Sequence, residues 1–189
     1  SGQSSCLSAD TGQFVAASGS PSQTPCPPGT YQPSTGQVSC LDTAPGQYSG
    51  EGASSPVDCS PGTYQPYSGQ SSCLDTTPGH YTSDAGQSEQ IPAPLDEYVV
   101  GTARSNTQNC PPSYITLQVG AASEEDCYLD SDGDRIHDTV DSDDDGDGVD
   151  DGTDLCPLGN MGWSSGPSTD NDGDGCRDAD EDSDDDNDG

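Results

Sequence analysis

Acidic residues in the last third of the chain recur at the spacing of a metal-binding loop. Three segments carry carboxylates at positions 1, 3, 5, 9 and 12 and a glycine at position 4. We call them acid loop 1 (residues 130–141), acid loop 2 (143–154) and acid loop 3 (170–181), and Asp184, Asp186 and Asp188 begin a fourth. The carboxylates are Asp130, Asp132, Asp134, Asp138 and Asp141; Asp143, Asp145, Asp147, Asp151 and Asp154; and Asp170, Asp172, Asp174, Asp178 and Glu181.

This spacing suits calcium chemistry. Calcium takes six to eight oxygen ligands at about 2.3–2.6 Å, and alternate residues of a tightly turned backbone can point carboxylates at one ion. Position 7 of such a loop supplies a backbone carbonyl, here from Ile136, Val149 and Cys176. Without a cation, five crowded carboxylates repel one another. We therefore predict several bound Ca²⁺ ions as a folding requirement of this segment, and the alternative is a solvated acidic tail.

The elements that would position these carboxylates are loops rather than helices. No segment beside them fits the flanking helices of an EF-hand. The run DSDGDRIHDTVDSDDDGDGVDDGTDLCP instead resembles thrombospondin type 3 repeats, over residues 126–158 and 168–189. The resemblance implies a chain that wraps calcium ions in series, with disulfides between the wraps, a role that Cys156 and Cys176 fit. Residues 157–169 are an insertion relative to that pattern, in which we expect Trp163 to be a local packing anchor.

The composition excludes several classes of protein. The net charge is -32, from 35 acidic residues and three arginines, and Leu, Ile, Val and Phe together number 20 of 189 residues. That is too little apolar surface for a domain with one apolar core. Phosphate backbones repel this charge, so nucleic acid is not an expected partner. No apolar run is long enough for a transmembrane helix.

Nine cysteines argue against the disorder that this composition otherwise indicates. A chain with few apolar residues and many cysteines is typical of secreted modules held by disulfides, so we expect an extracellular or cell-surface protein. Zinc is a poor alternative use, because the chain has two histidines and no Cys-x-x-Cys pair.

Residues 1–123 contain an internal repeat. Aromatic residues recur every 16 or 17 positions, at Phe14, Tyr31, Tyr48, Tyr64, Tyr81, Tyr98 and Tyr114. Two such half-units form a longer unit of about 33 residues. Pro-Gly and Ser-Gly steps predict turns, so each half-unit is predicted to be a small hairpin. The predicted fold class is small disulfide-rich β modules in an extended tandem repeat array, followed by irregular calcium-wrapped loops, with little or no helix and no central core.

Two disulfide phases fit the repeat. The first pairs Cys26 with Cys40, Cys59 with Cys73, Cys110 with Cys127 and Cys156 with Cys176, and leaves Cys6 unpaired or intermolecular. The second pairs Cys6 with Cys26 and Cys40 with Cys59, and leaves Cys73 over. We favour the first, because the next opening position falls on Ala93 and its closing mate near residues 106–109 is absent as well. A bridge is then lost as a pair.

The segment CPPGTYQPSTGQVSC resembles ephrin-receptor-like cysteine-rich repeats and the first half of tumour-necrosis-factor-receptor repeats. The resemblance covers residues 1–90 and, more loosely, 110–127, with fewer cysteines per unit than those families have. It implies an extracellular, elongated and non-enzymatic module without identifying a ligand. We expect cysteine-rich repeats over 1–90, a diverged repeat over 91–127 and calcium repeats over 128–189.

The sequence contains no recognisable catalytic motif. We predict a non-enzymatic extracellular structural protein, a segment or subunit of a filament, stalk or fibre that self-associates. The alternative is the ectodomain of a receptor or adhesin with a calcium-stiffened stalk, binding other extracellular proteins or glycans. A third hypothesis is a non-catalytic appendage of a secreted enzyme. The Ser/Thr-rich repeats are candidates for O-linked glycans. The strand candidates Glu97–Val100 and Tyr114–Val119 would form either an edge for another subunit or an internal pair.

Overall fold

The computed structural model describes residues 8–16 and 22–183. Short β-strands make up nearly all the regular structure of this part of the chain, together with one 3₁₀ turn at Glu124–Asp126. The strands are β1 Gln13–Phe14, β2 Thr24–Pro25, β3 Thr30–Tyr31, β4 Leu41–Asp42, β5 Gln47–Tyr48, β6 Val57–Asp58, β7 Thr63–Tyr64, β8 Leu74–Asp75, β9 His80–Tyr81, β10 Ile91–Pro92, β11 Glu97–Tyr98, β12 Gln108–Asn109, β13 Tyr114–Thr116 and β14 Cys127–Leu129.

Each strand pairs antiparallel with a neighbour in the chain, so the described residues contain seven separate two-stranded hairpins. The aromatic residue lies on the first strand of its hairpin: Tyr31 is opposite Leu41, and Tyr64 is opposite Leu74. This arrangement confirms the predicted fold class of small disulfide-rich β modules in tandem, with almost no helix and no central core.

The two strand candidates of the sequence differ in length and pairing from the strands of the structure. The strand candidates Glu97–Val100 and Tyr114–Val119 are strands only over Glu97–Tyr98 and Tyr114–Thr116, and each pairs with a later strand of its own hairpin rather than with the other. In repeats 1 to 6 the second strand begins just after the closing-cysteine position, and in repeat 7 it begins at Cys127 itself. Before the second strand of repeat 2, Gly36 turns the chain at a φ of +73° and donates its N–H to the carbonyl of Ala9 in the preceding repeat.

A column of small side chains takes the place of an apolar core. We call the residue that opens each repeat its first residue. The first residues of repeats 1 to 7 are Ala9, Cys26, Thr43, Cys59, Thr76, Ala93 and Cys110, and all but Cys110 are at most 1% exposed. Ala93 therefore keeps the buried position of Cys26 and Cys59 although the disulfide is missing there. A buried column this small tolerates cysteine, threonine or alanine, but no large side chain.

Backbone hydrogen bonds join each repeat to the next. The donor is the N–H of a glycine, three residues after the first residue of a repeat. The acceptor is a carbonyl of the next repeat, in the residue directly after its aromatic residue. These bonds run from Gly12 to Gln32, Gly29 to Ser49, Gly46 to Gln65, Gly62 to Thr82 and Gly79 to Val99, at 2.7–2.9 Å. The five acceptor residues are all buried. Regular backbone contacts of this kind offset the shortage of apolar surface.

Gly46 shows why glycine stands three residues after the first residue. Its φ is +81°, a conformation that other residues rarely adopt. A Cβ added to Gly46 would overlap the carbonyl oxygen of Gly86, two repeats further along the chain. Each repeat therefore touches not only the next repeat but the one after it.

The described residues contain four disulfides, three of which each close a single repeat, while the fourth links the acid-loop segment. They join Cys26 to Cys40, Cys59 to Cys73, Cys110 to Cys127 and Cys156 to Cys176, which are the pairs of the first phase. Cys6 lies outside the described residues. In repeat 5, which has no bridge, Gln90 stands at the closing position and its side-chain oxygen accepts the N–H of Thr77 at 2.9 Å. Gln23 accepts the N–H of Asp10 in the same way in repeat 1, at 2.8 Å. A hydrogen bond thus replaces the disulfide in these repeats.

Candidate metal centre

The three acid loops fold alike, and their own backbone sets the shape. In each loop the same four hydrogen bonds run from a backbone N–H to a carboxylate side chain. The N–H of position 4 donates to the side chain of position 1, and the N–H of position 5 to that of position 3. The N–H of position 7 donates to the side chain of position 5, and the N–H of position 2 to that of position 9. The N–H of position 9 donates to the carbonyl of the residue before position 1, at 2.8–3.0 Å. A solvated acidic tail would have no reason to repeat this pattern three times.

The pattern brings three carboxylates of each loop together. One oxygen from each of positions 1, 3 and 5 lies within 4.8 Å of the others, in Asp130, Asp132 and Asp134; Asp143, Asp145 and Asp147; and Asp170, Asp172 and Asp174. In each loop a backbone N–H of the same loop donates to Oδ1 of the carboxylates at positions 3 and 5. In Asp145, Oδ2 also accepts an N–H, from Gly159 outside the loop. A carboxylate oxygen that accepts one hydrogen bond can still ligate an ion.

Acid loop 2 is the most buried of the three. Asp145 is 1% exposed, Asp147 2% and Asp154 7%. One carboxylate oxygen of Asp147 and one of Asp154, Oδ2 in each case, are buried without a hydrogen-bond partner. An orphaned anionic oxygen inside a protein is costly unless a cation or a proton satisfies it.

Burial has the expected effect on the acidity of this loop. It raises the pKa of Asp145 and Asp147, and neighbouring carboxylates add to the rise. It raises the pKa of Asp154 to about 6, again with a contribution from Asp145 and Asp147. Burial alone would also raise the pKa of Asp170, but hydrogen bonds from Ser165 and from the backbone outweigh it and lower that pKa. The cluster thus resists carrying its full negative charge without a counter-ion.

The insertion between acid loops 2 and 3 packs onto both. The N–H of Gly159 donates to Asp145 Oδ2 at 2.9 Å, and the N–H of Ser165 donates to the carbonyl of Asp147 at 2.8 Å. Ser165 Oγ also donates to Asp170, at position 1 of acid loop 3. A disulfide links Cys156, two residues after acid loop 2, to Cys176 of acid loop 3. Trp163 in this insertion is half-buried, with its indole nitrogen buried and without a hydrogen-bond partner.

The remaining predicted ligands are placed less directly. The carboxylates at position 9, Asp138, Asp151 and Asp178, are held by the N–H of position 2. At position 12, Asp141 accepts the N–H of Ser142, Asp154 that of Cys156, and Glu181 that of Asn160. The carbonyls of Ile136, Val149 and Cys176 remain predicted ligands. Asp184, Asp186 and Asp188 lie outside the described residues.

The sequence prediction passed over Asp144. Its Oδ1 is buried without a hydrogen-bond partner. Burial raises the pKa of Asp144, and the charges of Asp151 and Asp138 from two different loops raise it further. Position 2 of a loop is not a ligand position, and only the extra acid in the run Asp143-Asp144-Asp145 could have drawn attention to it.

Comparisons with known proteins do not assign a family. The chain matches no protein-family model, and a search of curated proteins finds no similar sequence. Four disulfides are typical of proteins that fold in an oxidising compartment, which indicates an extracellular or secreted protein. No helix in the described ranges has the length and apolar character needed to cross a bilayer.

Proposed function

We propose that the acid loops bind several Ca²⁺ ions and that these ions are part of the folded structure. The observation that carries this proposal is the pair of orphaned oxygens on Asp147 and Asp154, both buried among carboxylates of the same loop. A divalent cation is the simplest partner for such oxygens. The geometry favours calcium over magnesium, since flexible loops rich in carboxylates can surround calcium completely, whereas magnesium keeps most of its water. The spacing also supports a relationship to thrombospondin type 3 repeats.

Asp147→Asn tests the site with little change of shape. The asparagine keeps an oxygen that can accept the N–H of Val149 and replaces the orphaned Oδ2 by an amide NH₂ group. Calorimetric titration of the full chain with calcium should show the loss of one site or a drop of at least about tenfold in its affinity. Asp150→Asn is the matched control, because it removes the same charge from an exposed side chain at position 8 of the same loop. Equal titrations for the two variants would reject acid loop 2 as a calcium site.

The wider function is proposed to be structural. Repeats joined by backbone hydrogen bonds and closed by disulfides suit an extracellular filament, stalk or fibre, which calcium would stiffen at the acid loops. Self-association of the chain would then build the filament. Sedimentation and electron microscopy of the purified chain test this directly: particles that remain monomeric at every calcium concentration, with no filaments, would reject it.

A second candidate, a receptor or adhesin ectodomain, has its own supporting observation. Repeats 2 to 5 each expose an aliphatic side chain opposite the half-buried tyrosine of the hairpin. These are Leu41, Val57, Leu74 and Ile91, which are 39–49% exposed. The hairpins on either side have Thr24 and Gln108 at this position instead. A saturable heterologous ligand whose binding is lost in Leu74→Ser, but kept in Asp75→Asn, would favour this function.

A further inference from the structure

Acid loop 1 begins in register with the repeat array. From repeat 2 onwards, the N–H of the first residue donates to a carbonyl of the preceding repeat. The acceptor lies three residues after the first residue of that preceding repeat. Thus Cys26 donates to Gly12 and Cys110 donates to Asp96, both at 2.9 Å. Asp130 makes the same bond to Ser113, at 2.8 Å. Asp130 is also buried, with 4% of its surface exposed, as are the first residues of repeats 1 to 6. The first carboxylate of acid loop 1 is therefore the eighth member of the buried column.

The turn after Asp130 continues the series as well. Three residues after each first residue the backbone is left-handed, with φ between +62° and +88° from Gly12 to Ser113, and Gly133 follows with +84°. The continuation then changes in one respect. The N–H of Gly12 donates to the next repeat, whereas the N–H of Gly133 donates to Asp130 Oδ1 at 3.0 Å. The carboxylate of Asp130 takes the place of a following repeat.

A second contact ties acid loop 1 to the array. Asp96 stands where repeats 1 to 5 have glycine, and its carboxylate pairs with both terminal nitrogens of Arg135, at 3.1 and 3.2 Å. The same carboxylate accepts the N–H of Thr116 at 3.2 Å, and the N–H of Asp96 donates to Thr116 Oγ1 at 2.8 Å. In repeats 1 to 6 the N–H of the residue equivalent to Thr116 donates to a later repeat. Asp96 thus closes the array and fixes the position of Arg135.

A third contact lies beside the second. The N–H of Asp138 donates to the carbonyl of Leu129 on β14 at 2.9 Å, and the ring centroids of Tyr128 and His137 are 5.0 Å apart. Asp138 and Arg135 both belong to acid loop 1, and Arg135 directly follows the carboxylate at position 5. Any change that opens this loop must disturb the last hairpin of the array.

We propose that acid loop 1 is the C-terminal cap of the repeat array and that a calcium ion in this loop sets the stability of repeat 7, residues 110–129. This inference rests on the proposed function, because it needs calcium at Asp130, Asp132 and Asp134. Without the ion, repulsion among these carboxylates loosens the loop and releases Arg135 and Asp130. With the ion, the loop becomes rigid and holds the last hairpin closed.

Hydrogen exchange of the full chain, followed by mass spectrometry, tests the coupling. At a free calcium concentration ten times the dissociation constant, amides of residues 110–129 should exchange about tenfold more slowly than in chelator. Arg135→Gly should keep calcium binding, because glycine adopts the left-handed φ of +77° at this position, and should lose part of the protection. The matched control is Arg177→Ala, which removes an arginine paired only with Asp180 of acid loop 3 and should leave the protection unchanged.

The outcomes separate the coupling from the calcium sites themselves. Calorimetry on the same samples shows whether calcium binds, and Asp130→Asn identifies the site in acid loop 1. Calcium binding at acid loop 1 without slower exchange in residues 110–129 would overturn the coupling and leave the calcium sites standing. Failure of the chain to bind calcium at all would overturn both.

Discussion

Asp96 and Arg135 lie 39 residues apart and form a two-point ion pair, and both have left-handed backbone, with φ of +65° and +77°. Glycine occupies the position of Asp96 in repeats 1 to 5, as Gly79 does in the preceding repeat, and the position of Arg135 in acid loops 2 and 3, as Gly148 and Gly175. The Arg135 guanidinium beside Asp96 lowers the pKa of that carboxyl, despite an opposing effect of burial. An aspartate and an arginine, which both rarely adopt a left-handed backbone, therefore pair where the repeat array meets acid loop 1.

Gly46→Ala should destabilise the repeat array severely. The new Cβ would overlap the carbonyl oxygen of Gly86, and the alanine would have to adopt a left-handed φ of +81°. We expect a loss of at least about 3 kcal/mol in the free energy of unfolding, measured by urea denaturation in calcium. Gly50→Ala is the control, because nothing lies within 4 Å of its added Cβ, and it should change stability by less than about 0.5 kcal/mol. Similar losses for the two variants would contradict the contact between alternate repeats.

A disulfide should form if cysteines are restored in repeat 6. Ala93 has the buried position of Cys26 and Cys59, and residue 107 lies 14 positions later, which is the separation of the native pairs. The double variant Ala93→Cys and Thr107→Cys should oxidise to a new bridge that raises stability by about 3 kcal/mol. Peptide mapping by mass spectrometry identifies the bridge, and the single variant Ala93→Cys is the control. Recovery of both new cysteines as free thiols would contradict the assigned register of repeat 6.

The chelated protein should become less stable as the pH rises from about 4 to above 6. Burial raises the pKa of Asp154 from 3.8 to about 6 in the folded chain, so the folded state holds a proton that the unfolded state releases near pH 4. Stability from the protonated form is complete below pH 4 and is lost as the pH passes 6. Thermal unfolding in chelator across this range measures the effect, and Asp154→Asn should reduce the slope. A melting temperature of the wild type that rises with pH over this window would contradict the assignment.

The same carboxyl predicts how calcium affinity changes with pH. Below pH 6 a proton on Asp154 competes with the ion, so calcium should bind more weakly at pH 5 than at pH 7 and should release protons when it binds. Calorimetry in two buffers of different ionisation enthalpy measures the protons released. An affinity that is the same at pH 5 and pH 7 would contradict a ligand at Asp154 with a raised pKa.

The hairpins could be predicted from the sequence because the type and spacing of their side chains repeat. The glycine before Tyr31 and Tyr48 and the cysteine spacing of 14 residues predict the hairpins and are consistent with the disulfides found. The stacking of repeats does not follow, because it depends on backbone groups, such as the N–H of Gly12 and the carbonyl of Gln32, that every residue has. For the same reason, the sequence does not show that Asp130 continues the series of first residues after Cys110.

Part of the candidate metal centre could also be predicted from the sequence, and part could not. Carboxylates at positions 1, 3 and 5, such as Asp143, Asp145 and Asp147, are brought together as their spacing predicts. The contacts of Gly159 and Ser165 with acid loop 2 could not be predicted, because they are backbone contacts from an insertion without a pattern of its own. The insertion contacts Asp145 and Asp147, whereas Asp154 lies against Gly175 of acid loop 3. The burial that raises the pKa of Asp154 therefore depends on a contact between two loops, which their separate patterns do not show.

A count of the bound ions tests whether calcium is part of the folded acid loops. The full chain is brought to equilibrium by dialysis against buffer with about 5 mM free calcium, above the dissociation constants of about 0.1–1 mM that extracellular calcium modules have. The calcium bound per chain, in excess of the dialysate, is measured by atomic emission spectrometry. We expect at least three ions per chain, one for each acid loop of the described structure. Chelator should remove them and should cause rapid proteolysis that begins within residues 128–189. Fewer than one ion per chain, with proteolysis unchanged by chelator, would contradict it.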